Sequence, residues 1–162
     1  MNQVPVGLKP AAIRGDKPLA LTAFDEVDLA VIAACLQDAL VRRADMAWEK
    51  KRHRFALVAS RFLWETETGD ASLGGSRVRT GVHFNDVQAV KLRGMPAAAI
   101  AAEVPLVLLT IATAVDSTGA GTITLLFAGD TSIRLDVECV ECHLRDLGPA
   151  WETPNRPDHG LT

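Results

Sequence analysis

Cys139-Val140-Glu141-Cys142-His143 is the one string in this 162-residue chain whose residue types and spacing name a chemistry. A Cys-x-x-Cys-His run attaches haem when its two thiols reach the vinyl groups and the adjacent histidine ligates iron. Zinc is a second reading, since Cys139 and His143 lie one helical turn apart, with Cys142 on the neighbouring flank. Cys35, His53 and His83 are the candidates for a fourth ligand. A redox Cys-x-x-Cys is a third. Each meets an objection. Haem attachment belongs outside the cytoplasm, and the N-terminal MNQVPVGLKPAAIRGDK has no apolar stretch of a signal peptide. Structural zinc sites show two ligand pairs, and only one is present. Asp136, Glu138 and Glu141 would oppose a thiolate. The expectation is therefore no metal, no cofactor and no catalytic residue, with Cys139 and Cys142 as small residues on or beside a packed helix face.

Nucleophilic catalysis has no better anchor. Ser60 and Ser76 lack an elbow motif, and no glycine pattern opens a helix after a strand as phosphate binding requires. A basic hairpin is the stronger candidate. Arg42, Arg43, Lys50, Lys51, Arg52, Arg54 and Arg61 surround Trp48 and Trp64, and cations beside aromatics can hold phosphates and stack bases. Positions 42–93 carry eleven Lys and Arg against six Asp and Glu, while the rest of the chain carries six against fourteen. The plain alternative is a solvated hairpin tip with the tryptophans in the core. The formal net charge of −3 favours that alternative, because a nucleic-acid protein is normally basic overall.

The elements that would position these residues are mostly strands. Positions 1–17 read as a flexible arm, 18–151 as one domain and 152–162 as a loose tail. Leu19 to Phe24 suggests a short strand. Asp25 then caps a helix with Asp28 in its first turn, and Phe24 and Leu29 have the spacing of a hydrophobic staple. Leu29, Ile32, Leu36 and Leu40 form its core stripe. Period-two patterns follow over 41–48, 54–65, 77–84 and 87–93, and 104–115 reads as a buried apolar strand. The last hairpin is constrained by its faces. Only a three-residue loop sets Leu125 opposite Ile133 and Ile123 opposite Leu135, because a one-residue slip flips every side chain. Val137, Val140, Leu144 and Leu147 then fit helical spacing, with Gly148 and Pro149 as the stop.

These patterns predict an α+β domain with a mainly antiparallel sheet, or partly closed barrel, of about seven strands. One helix lies near each end, in the manner of a pleckstrin-homology-type barrel. Nearly half of the residues are hydrophobic and about a quarter charged, which suits a soluble globular chain. No apolar run reaches the ~20 residues of a membrane-spanning helix, so no membrane role is expected. Three cysteines imply no disulfide framework and point to the cytoplasm.

Leu36-Gln37-Asp38-Ala39 leading into Arg42 to Trp48, Arg54-Phe55-Ala56-Leu57-Val58, the Phe127-Ala128-Gly129 hairpin and Leu144-Arg145-Asp146-Leu147-Gly148-Pro149-Ala150-Trp151 carry a resemblance. Together they resemble an uncharacterised family of single-domain alphaproteobacterial proteins, a domain of unknown function, over most of residues 19–151. That resemblance implies a cytoplasmic bacterial protein and brings no activity with it. A cysteine at Cys139 suits its pattern, whereas Cys142 departs from it. The functional expectation is a non-enzymatic binding or adaptor module that acts through a protein partner or self-association. A nucleic-acid role for the 42–61 hairpin is the alternative, and an enzyme of unidentified type is the third.

Overall fold

The computed structural model describes residues 18–63, 75–95 and 103–153. The expected arm, most of the tail, Trp64, the Gly/Ser-rich loop up to residue 74 and most of the alanine-rich connection lie outside them. In chain order the elements are β1 (Ala20–Ala23), α1 (Glu26–Cys35), β2 (Leu40–Glu49), a 3₁₀ turn (Lys50–Arg52), β3 (Arg54–Phe62) and β4 (Gly75–Phe84). Then follow β5 (Val87–Arg93), β6 (Pro105–Val115), β7 (Gly121–Phe127), β8 (Thr131–Val137), β9 (Cys142–Asp146) and β10 (Trp151–Thr153).

All ten strands join one sheet in the order β1-β9-β4-β3-β2-β6-β7-β8-β5, with β10 beside β4, and every pairing is antiparallel. β4 and β5 are joined by only two residues yet stand far apart in that order, so the sheet must curl back on itself. The bend falls where β2 meets β6. They pair only through Leu40–Arg42 and Pro105–Val107, and a register shift in β2 between Val41 and Met46 adds a local kink. Phe55, Leu57, Val82, Phe84 and Leu144 from one half thereby share a single core with Leu108, Ile123, Leu125, Ile133 and Leu135 from the other. Leu29, Ile32 and Leu36 of α1 complete it.

The sequence-based class is corrected by this architecture. Strands make up 62% of the described residues and the sheet stays open, which is not an α+β domain of seven strands and two helices. The expected C-terminal helix is β9, paired with β1 and β4. Without that helix, the pleckstrin-homology-type closure fails. Val140, Cys142, Leu144 and Asp146 are all buried, which is period two. Val140 to Leu144 satisfies both a helical step of four and two strand repeats, so the apolar residues alone were ambiguous. The charged Asp146 occupies the next inward position and hid the alternation. Gly148, at φ 88°, ends a strand instead of capping a helix.

Other expectations hold. Asp25 caps α1, its carboxylate accepting from the Asp28 N–H, and Leu29, Ile32 and Leu36 are buried. Phe24 is 65% exposed, however, and makes no staple with Leu29. The β7–β8 register pairs Ile123 with Leu135 and Leu125 with Ile133 across a three-residue loop. The 104–115 run forms a strand but not a wholly buried one, since β6 is buried on one face only and Leu109 is exposed on the other.

Candidate functional site

The Cys-x-x-Cys-His string does not converge on one point. Cys139 lies in the turn before β9 and donates its S–H to Asp86 at 2.9 Å. That hydrogen bond, then burial and the negative charge of Asp86, push its thiol up to about 11. Cys142 and His143 are consecutive in a strand, so their side chains leave opposite faces. Cys142 is buried in the core, where desolvation raises its thiol far above the ordinary range. No group of three His, Cys, Asp or Glu able to hold a metal occurs among the described residues.

The basic hairpin does not form one patch either. Arg42 lies near one end of β2 and Lys50 just past the other, a span matched by five or six residues of the paired β3, roughly 15–20 Å at strand rise. Arg42 is engaged by Asp45 at 3.0 Å and Glu103 at 3.3 Å. Arg43 is half-buried, and Trp48 packs against the core. Lys50, Lys51 and Arg52 are exposed on the 3₁₀ turn, with Glu49 3.8 Å from Arg52. Arg54, on the outer face of β3, donates through Nε to Asn85 at 3.2 Å. Arg61 is no surface residue at all. It is fully buried and grips Asp146 through two 2.8 Å hydrogen bonds. Asp146 also accepts from the Thr80 hydroxyl and the Leu19 N–H. A cation so enclosed is structural, and its place in the interaction surface is withdrawn.

A groove of about 550 Å³ opens on the outer face of β1, β9, β4 and β3. Register places Thr22, His143, His83 and Ala56 side by side across these strands. The two imidazoles stack, centroids 4.7 Å apart and planes 25° from parallel. His143 is held at both nitrogens, with Nε2 2.8 Å from Glu141 and Nδ1 3.2 Å from the Thr22 hydroxyl. Asn85 also donates to Glu141 at 2.6 Å. The hydrogen bonds from His143 and Asn85 keep the Glu141 carboxyl below the usual carboxylate range. Burial, then the nearby His143 and Arg54, lower His83 from its ordinary value, so its ring is neutral at neutral pH. The alternation of His83 with arginines correctly suggested an outward face. Its pairing with His143, sixty residues away, was invisible while β9 read as a helix.

α1 presents the second unusual surface. Its sequence, EVDLAVIAAC, is apolar around the whole circumference after Asp28, yet only Leu29 and Ile32 of it are buried. Phe24, Val27 and Val31 are 65%, 75% and 53% exposed and follow one another at helical spacing. Ala30 and Ala34 are exposed between and beyond them. Leu109 of β6 adds to the apolar area, and it shares a shallow depression with Ala30 and Ala34. The core stripe was readable from sequence, and residues 24–36 also carried the signal for this outer stripe.

Fold and surfaces together define an antiparallel β protein, an open sheet curled around one core, with a polar groove on one face and a bare apolar helix. The chain belongs to the family described as protein of unknown function DUF2948, whose model matches residues 19–159. No curated protein and no solved structure matches it.

Proposed function

We propose that the protein is a non-enzymatic binding module that docks a protein partner on the outer face of α1. One observation carries the reading: a helix apolar on all sides that buries only one of them. Helices of that character are normally enclosed, and contiguous exposed apolar patches mark interaction surfaces. Asp25, Glu26 and Asp28 gather at one end of the stripe, so the matching surface is apolar with a basic group beside it. Burying Phe, Val and Val side chains supplies about 1.5–3 kcal/mol each when complete, enough to anchor a modest interface.

A cytoplasmic bacterial setting fits this reading. No disulfide joins Cys35, Cys139 and Cys142 among the described residues, which suits a reducing compartment. No described helix is long and apolar enough to cross a membrane. Nucleic acid is the less favoured partner, since the fully exposed cations of the hairpin reduce to the Lys50–Arg52 tip. Affinity purification from the native host tests the proposal. Wild-type protein should retain a stoichiometric protein, a different chain or a second copy, and a folded Val27→Ser/Val31→Ser variant should retain at least about tenfold less. Equal retention by the variant, or no retained protein with wild type, contradicts it.

A further inference from the structure

The groove lies next to that docking face, where the Phe24 ring meets His143 edge-on with centroids 6.2 Å apart. Its volume of about 550 Å³ lies within the ~300–1,000 Å³ of ligand pockets. His143 covers one face of the His83 ring. On the other side the register continues to Ala56 and then Ala47, two residues with no more than a methyl group. The second face of His83 therefore looks over the two alanines, with Arg54, Glu49 and Val58 lining the space around them. Arg54 stands two residues along β3 from Ala56, and beyond its Nε bond to Asn85 its terminal nitrogens make no hydrogen bond or ion pair among the described residues. The ring nitrogens of His83 make none either.

We propose that this groove binds a small planar anion, its ring stacked on the free face of His83 and its anionic group on the Arg54 guanidinium. Several features suit the task. The Asn85–Glu141–His143–Thr22 chain fixes the ring that backs His83, so the stacking face is set before the ligand arrives. Guanidinium presents a planar fork of donors that matches carboxylate and phosphate oxygens. Leu147 packs over Gly81, where an added Cβ would meet its Cδ1 at 3.4 Å. Because burial, His143 and Arg54 keep His83 neutral, attraction for the anion falls to Arg54 against the opposing charge of Glu49, with Arg145, which makes no ion pair among the described residues, further along the groove.

Amide NMR titration of the full chain tests the site. The probes are benzoate and adenosine monophosphate, with benzamide as the planar neutral control and cyclohexanecarboxylate as the non-planar anion. At least one probe should give saturable shifts at Ala56, Gly81 and His83, binding at least about fivefold more tightly than either control. Saturation by benzoate alone assigns a carboxylate, by the nucleotide alone a phosphate, and by both a site for either. Arg54→Gln and His83→Gln, each with a spectrum showing the native fold, should each weaken binding at least about fivefold, while Val27→Ser/Val31→Ser leaves it unchanged. Absence of saturable shifts from both probes up to ~10 mM overturns the proposal. So does equal binding of the controls, or undiminished binding by Arg54→Gln.

Discussion

The most consequential single contact is the buried pair of Arg61 and Asp146. Burial pushes the Asp146 carboxyl up, but hydrogen bonds and charge from Arg61, helped by the Leu19 N–H and the Thr80 hydroxyl, leave it below its ordinary value. A carboxylate lowered on folding contributes stability fully above its unfolded value, about 3.9, and loses it as pH falls through the folded value. Asp146→Asn should therefore flatten the loss of stability below about pH 4. It should also cost about 1.5–3 kcal/mol at pH 7, because the buried Arg61 loses the carboxylate charge that it grips. Urea unfolding at pH 7 and pH 3 reads both effects. At the same scale, the Asp86 carboxylate holds the Cys139 proton. Iodoacetamide at pH 8 should label Cys139 far more slowly than a free thiol, and Asp86→Asn should speed it. Asparagine suits the exchange, since Asp86 sits at φ 58° and Asn tolerates that region.

Elements were legible in proportion to how cleanly one period governed them. β7 and β8 alternate without a polar interruption, so their faces and their three-residue loop could be read directly. β9 could not, because its inward row runs Cys142, Leu144, Asp146. The carboxylate is inward only because Arg61 waits for it 85 positions upstream, and no local pattern announces such a partner. Arg61 was misread for the same reason, a charge in an alternating strand being normally outward. Two outcomes follow at this scale. Deleting Gly129, which turns at φ 82°, forces a two-residue loop and sets Ile133 and Leu135 against the wrong face, so thermal melting should show loss of the native transition. Gly121→Ala should also destabilise, by at least about 1 kcal/mol. At φ 154° its Cβ would run into the Ala114 carbonyl, and urea unfolding measures the difference.

At the scale of the whole molecule, strand count and curl were out of reach of sequence. They depend on which distant strands pair, and on the short β2–β6 junction that bends the sheet. The same long-range pairing builds the groove, joining His83 to His143 and bringing Arg54 beside Asn85. The α1 face is different, since both its stripes are written within residues 24–36; what sequence lacks is the fact that only one side is covered. The docking reading rests on that fact. Site-specific photocrosslinking in the native host addresses it most directly, with a benzophenone side chain at Val31 in one strain and at Lys51 in another. A discrete protein adduct from Val31, and none from Lys51, is the predicted result. A bare Val31 with protein or nucleic acid captured at Lys51 would contradict it and return the function to the hairpin tip.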